Sequence, residues 1–246
     1  MAAAGSGEAV IPSRSLSDPG AFRKSAPWFA LLMLLAIPAF WPSYLYVEKV
    51  ERDWHVHVHG FALAAWGLML IVQPWLIAKG NRALHRRIGK LSYVLAPLVV
   101  VSTILLGSYR LKAELGPVQL YFLWVQVALL TLFTLSYAQA IRHRHQAALH
   151  ARYMTCTALA MVDPVMARIA YNHFGIDLPF MQVLTWLMID AILLYLWKRD
   201  VEAGTGIRVF PGMLAAFVVM QVPTFFLYKT AAWAELAKWY AGLPLP

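Results

Sequence analysis

Residues 57–78 read HVHGFALAAWGLMLIVQPWLIA, residues 79–90 read KGNRALHRRIGK, and residues 91–111 read LSYVLAPLVVVSTILLGSYRL. Two apolar stretches enclose a short gap that holds Lys79, Arg82, Arg86, Arg87 and Lys90. A hydrocarbon core about 30 Å thick is crossed by roughly 20 helical residues. Each stretch is long enough to cross, and the basic gap reads as a loop at a membrane face. The same pattern runs through the chain. Apolar runs begin near Pro27, His57, Leu91, Pro117, Leu149, Pro179 and Ile207, and end near Tyr46, Ala78, Leu111, Ile141, Tyr171, Trp197 and Tyr228. The sequence predicts an all-α, polytopic transmembrane helical bundle of seven spans, near 27–46, 57–78, 91–111, 117–141, 149–171, 179–197 and 207–228.

Composition points the same way. Hydrophobic residues make up 61% of the chain and charged residues 13%, against about 25% charged in ordinary soluble domains. A net charge of +9 would suggest nucleic acid in a soluble protein. Here the cations sit in short loops, where topology and anionic lipid headgroups explain them, so no nucleic-acid partner is expected. The single cysteine, Cys156, lies inside the fifth run and reads as a small buried apolar residue rather than a reactive thiol. No nucleophile triad, phosphate-cradling glycine loop or zinc-protease spacing occurs, which argues against hydrolytic chemistry.

Charge asymmetry sets the expected orientation. Arg14, Arg23, Lys24, Lys79, Arg82, Arg86, Arg87, Lys90, Arg142, Arg144, Arg152, Lys198, Arg199 and Arg208 fall on one side; Lys49, Arg52, Arg110, Lys112, Lys229 and Lys238 fall on the other. Cytoplasmic loops carry the excess of Lys and Arg. The split predicts the N-terminus inside and the C-terminus outside, in a bacterial inner membrane. Residues 1–24, rich in Ala, Gly and Ser, read as a disordered cytoplasmic tail. Residues 25–229 form the seven-helix domain. Residues 230–246 read as a short interfacial amphipathic helix and tail, with Trp233, Leu236, Ala237 and Tyr240 on one face and Glu235 and Lys238 on the other.

Two basic loops end alike, in Ala83-Leu84-His85-Arg86-Arg87 and Ala148-Leu149-His150-Ala151-Arg152. Each puts a histidine where the chain re-enters the membrane, as in related helical hairpins. Imidazole ligates haem iron, and guanidinium matches a propionate carboxylate in two-point geometry. His85 and His150, with Arg86, Arg87 and Arg152, therefore form the candidate inner-side haem b site. His59 is the outer candidate, with His173 as a candidate partner. A separate metal site on His55, His57 and His59 is the weaker alternative, since only His55 and His59 share a helical face.

Asp163, Arg168 and Asp190 fall inside predicted spans, where an ionisable group costs roughly 3 kcal/mol or more unless shielded. Adjacent antiparallel spans would bring the three into one buried charge network, beside the backbone break at Pro164.

The stretch His59-Gly60, Gln73-Pro74-Trp75 and Arg82-Ala83-Leu84-His85-Arg86-Arg87-Ile88-Gly89-Lys90, with Leu149-His150-Ala151-Arg152-Tyr153-Met154, resembles a family of bacterial membrane proteins catalogued only as a domain of unknown function. The histidine pattern is also similar to the cytochrome b561 group, which implies haem held between core helices. The chain departs from that group at Trp124, which stands where a second outer histidine is expected. One haem or none, rather than two, is therefore the expectation. The leading functional expectation is electron transfer to or from a membrane carrier such as quinone. A proton-coupled carrier centred on Asp163, Arg168 and Asp190 is the alternative, and a non-catalytic assembly factor the third.

Overall fold

The computed structural model describes residues 22, 24–46, 53–178 and 180–246. Among these, every regular element is helical. Helix α1 (Ala26–Phe40) runs into a π-helical turn, Trp41–Leu45. Then follow α2 (Trp54–Ala78), the short α3 (Arg82–Gly89), α4 (Ser92–Ala113), α5 (Pro117–Arg142), α6 (Ala147–Phe174), α7 (Phe180–Glu202) and α8 (Val209–Gln221). Single 3-10 turns carry α8 on to Lys229, and α9 (Ala231–Ala241) closes the fold. Apart from Phe22 and Lys24, the tail read at 1–24 lies outside the described residues, as do Lys49 and Arg52.

Among the described residues, six stretches are long and apolar enough to cross a membrane: Ala26–Leu45, Trp54–Ala78, Arg82–Ala113, Pro117–Arg142, Phe180–Glu202 and Val209–Lys229. Their outward faces are apolar. Trp28, Phe61, Val94 and Leu187 are 71%, 67%, 72% and 60% exposed. A surface of that composition is suited to lipid and not to water.

The remaining long helix, α6, has 28 residues and packs against α1, α2, α5, α7 and α8. Arg152, Asp163 and Arg168 lower its apolar content. Neighbouring helices cover it instead, burying Cys156, Leu159, Val162 and Val165. Trp66 ties α2 to this centre: its indole donates to Thr157 at 3.3 Å and packs edge-on against Phe133 and Tyr137.

Local chemistry sets the helix ends. Asp53 caps α2 by accepting from the His55 amide at 2.8 Å, so α2 starts three residues before the apolar run. Asn81 caps α3 through Leu84 at 3.0 Å. Helix α6 stops at Gly175, whose φ of +63° suits a residue without Cβ. Helix α9 packs on α4 and α5. It buries Trp233 and Ala237, while Leu236 stays exposed with Trp239, so the face expected to be wholly apolar is only partly used.

Candidate functional site

The basic loops put α3 and the start of α6 at the same end of the bundle, and there His85 and His150 meet. Their ring centroids lie 6.5 Å apart with planes at 88°. Each ring is held from behind. The His150 Nδ1 bonds the Ala140 carbonyl at 2.9 Å, which fixes its proton on Nδ1 and leaves Nε2 a lone pair. Gln73, from the last turns of α2, reaches His85. With its amide nitrogen turned toward the imidazole, Gln73 donates to His85 Nδ1 and to the His85 carbonyl, and its oxygen accepts from the Gly89 amide at 3.2 Å. Turned by 180°, the same amide offers its oxygen to a protonated Nδ1. Gln73 can thus serve either tautomer of His85. Below this pair, Ser92 donates to the Gly89 carbonyl at 2.6 Å and accepts from Tyr137 at 3.1 Å, which ties α4 to α5.

Two imidazoles that bind one iron through Nε2 from opposite faces have centroids about 6 Å apart, two metal–nitrogen bonds of roughly 2 Å plus the ring radii. The separation of His85 and His150 fits that arrangement, and the Nδ1–H of His150 on the Ala140 carbonyl is the bond such a ligand makes; His85 makes it only with the Gln73 oxygen, rather than its nitrogen, turned to Nδ1. Among the described residues, no three of His, Cys, Asp and Glu gather as a metal cage.

The arginines divide. Arg86 and Arg87 are exposed on α3 beside His85. Arg152 is 2% exposed and faces Asp200 on α7, with Nε to Oδ2 at 2.7 Å and the terminal nitrogen to Oδ1 at 2.5 Å. Its other nitrogen donates to the Ala148 carbonyl at 2.9 Å, and the Phe22 ring stacks on it at 5.1 Å. The expected propionate role for Arg152 is corrected: its donors are taken by Asp200 and the backbone. Sequence reading missed Asp200, which sits 48 residues away in what looked like a loop. The one signal was an acid at the end of a span in a region of cations.

At the opposite end the three clustered histidines separate. His55 is stacked between Trp54 and Tyr109, at 3.8 and 4.9 Å, and bonds Asp53 at 2.7 Å and the Pro246 carbonyl oxygen at 2.8 Å. Both its nitrogens are engaged, which leaves none for a metal. Burial pushes the Asp53 carboxyl up, but hydrogen bonds from the His55 ring and amide outweigh this and hold it below its ordinary range. His57 bonds the Tyr44 hydroxyl at 2.9 Å. His59 turns to α4, with Nδ1 3.4 Å from Ser102 and 3.3 Å from Thr103. His173 bonds the Pro38 carbonyl on α1 at 3.0 Å. No contact joins His173 to His59. Trp124 donates to the Met220 carbonyl at 3.1 Å and packs edge-on against Trp233, a structural role.

The three charges expected within spans take different partners. Asp163 is 3% exposed; its Oδ2 accepts from Gln182 and from Thr185, the latter at 3.2 Å, and Tyr121 donates to Gln182 at 3.1 Å. Asp190 accepts from Gln221 at 3.1 Å. Arg168 donates to the Pro164 carbonyl at 2.9 Å and lies over the Phe40 ring at 4.5 Å. The single network expected of Asp163, Arg168 and Asp190 is therefore three separate arrangements: the amides of Gln182 and Gln221 do what Arg168 was expected to do.

Comparison of the chain with protein-family models, with characterised proteins and with solved structures yields no match.

Proposed function

We propose that this chain is a b-type haem protein of the bacterial inner membrane that carries electrons to or from a membrane carrier such as quinone. The observation that supports it most is the 6.5 Å approach of His85 to His150, with a hydrogen-bond partner behind each ring. A bare ion takes about four protein ligands. A porphyrin brings four nitrogens of its own, so two histidines are enough. Haem would supply one-electron chemistry. The chain's part would be to leave Nε2 of His150 open through the Ala140 carbonyl, to do the same for His85 with the Gln73 oxygen turned to its Nδ1, and to offer Arg86 and Arg87 to the propionates.

The same reading takes α6 as a seventh span. Its 28 residues reach about 42 Å at 1.5 Å per residue, and five packed neighbours allow it to carry charge. An odd number of spans puts the termini on opposite sides, and the excess of Lys and Arg in the loops at the His85 end then puts that end and the N-terminus inside and the C-terminus outside. The bundle of spans two to five holds the site.

The test is a reduced-minus-oxidised spectrum of the purified protein in detergent. A Soret and α-band difference is expected, lost in His85→Ala and in His150→Ala and kept in His143→Ala. No band after haem supplementation eliminates the proposal.

The second reading, a proton-coupled carrier, is favoured by the Tyr121–Gln182–Asp163–Thr185 chain, which surrounds a buried carboxyl with neutral partners. Asp163→Asn would then abolish proton or solute flux and leave the spectrum unchanged. Flux equal to wild type in a folded variant eliminates it.

A further inference from the structure

We propose that His55 is a proton-dependent latch: as an imidazolium it holds residues 243–246 against the start of α2 and the last turn of α4, and on losing a proton it lets that segment go. The device stands apart from the electron-transfer reading, at the opposite end of the bundle.

Hydrogen bonding fixes the state of His55 in the folded chain. Its Nδ1 lies 2.7 Å from Asp53 Oδ1, and its Nε2 lies 2.8 Å from the Pro246 oxygen. The Asp53 oxygen also takes the His55 amide at 2.8 Å, so it is an ionised acceptor. The Pro246 oxygen is an acceptor in either form, peptide carbonyl or terminal carboxylate. A neutral imidazole has one N–H, and only the imidazolium donates to both. Both distances fall where a charged donor puts them. The ring faces agree: Trp54 and Tyr109 stack on either side of His55, at 3.8 and 4.9 Å, and aromatic faces attract a cation.

Loss of one proton breaks this arrangement on the tail side. The charged Asp53 is the stronger acceptor, so the remaining proton stays on Nδ1. The Nε2 lone pair then faces the Pro246 oxygen, and two acceptors repel. One other anchor remains on the segment, the exposed Lys112 ammonium on the Leu245 carbonyl at 2.7 Å. Among the described residues, the charged and titratable groups around His55 divide. Asp53 beside it favours the imidazolium, as does the Tyr109 ring on α4. Arg110 and Lys112, in the last turn of α4, oppose it. His57 and His59 turn away, to Tyr44 and to α4. Docking is therefore complete at low pH and lost as pH rises, within the range that histidine covers. On the orientation proposed above, the latch meets the outer compartment, and acidity there decides whether the tail is held.

The experiment uses the full chain in a maltoside detergent. Cys156 is the single cysteine and is buried, so a nitroxide attached to Pro244→Cys, an exposed position, reports on the tail alone. Its paramagnetic resonance spectrum is recorded from about pH 5 to about pH 9. The ratio of mobile to immobile signal should rise roughly tenfold or more across that range, since a hydrogen bond to a charged group is lost, and should reverse on acidification. In His55→Gln the ratio should stay flat. Asp53→Asn keeps the helix cap but removes the negative charge that favours the imidazolium, so its transition should move to lower pH. A tail signal that does not change with pH in wild type overturns the proposal. So does a transition of equal size in His55→Gln. If His55→Gln does not fold, Asp53→Asn decides: a midpoint at or above that of wild type overturns the latch. The label reads the tail without haem, so failure here is distinct from failure of the electron-transfer reading.

Discussion

Arg152 at the start of α6 and Asp200 at the end of α7 form a two-point ion pair, at 2.7 and 2.5 Å, that is almost wholly shielded from water. The pair fastens the central helix to the second half of the bundle, where Phe22 and Phe210 complete the contact. Removing one partner leaves a buried charge uncompensated. Asp200→Ala or Arg152→Ala should each cost about 3–5 kcal/mol, whereas the paired replacement Arg152→Met with Asp200→Leu should be close to neutral. Thermal unfolding of the three variants in detergent checks this. Equal losses in the single and paired variants would show that the ion pair itself is the source of stability.

Gln73 holds His85 from behind, and a ligand's outer partner tunes how well it binds a metal. Gln73→Leu should weaken haem retention by about 10–100-fold, whereas Gln73→Glu, which still presents an oxygen, should keep most of it. Titration of the stripped protein with haem, followed at the Soret band, gives both numbers. If Gln73→Leu binds haem as tightly as wild type, the amide does not position His85.

The apolar runs made the helical, membrane-like architecture legible because lipid demands long uninterrupted hydrophobicity, a property of single stretches. Helix partnerships are not of that kind. The echo of Ala-Leu-His placed His85 and His150 at one depth, but nothing in either block says that α3 and α6 adjoin. The same blindness hid Asp200 and assigned Arg152 to a propionate. At the other end, helical spacing put His55 and His59 on one face. The partners that separate them, Asp53 with Pro246 for one and α4 for the other, depend on how α4 and the chain's last residues lie against α2. Helix α6 shows the reverse case: its charges make it the least membrane-like run by composition, and packing by five neighbours is what makes them tolerable.

Gly107 on α4 lets α5 approach closely. A Cβ there would meet the Gln126 carboxamide, with its oxygen 2.8 Å away, and Gln126 donates to the Thr103 carbonyl at 2.9 Å. Alanine gains roughly 0.5–1 kcal/mol of helix propensity over glycine, while losing an interhelical hydrogen bond costs about 0.6 kcal/mol. Gly107→Ala should therefore be nearly neutral in wild type and stabilising in a Gln126→Ala background. A double-mutant cycle on thermal stability reads the coupling. Additive effects would mean that Gln126 moves aside without loss.

Asp53 caps α2 and accepts from His55, whose ring also bonds Pro246. Because the folded state holds this carboxyl below its ordinary value of 3.8, the contribution is present above that value and is lost as pH falls through the folded one. The loss should be local: the His55 ring is released from Asp53, and Trp54, stacked on it at 3.8 Å, changes its fluorescence. Trp54 is one of ten tryptophans, so the signal is read as a difference from Trp54→Phe. Acidification below pH 3.8 should shift that difference in wild type and leave Asp53→Asn unchanged, since the amide has no proton to take up. A transition of the same midpoint in Asp53→Asn would place the titrating group elsewhere on this end of the bundle.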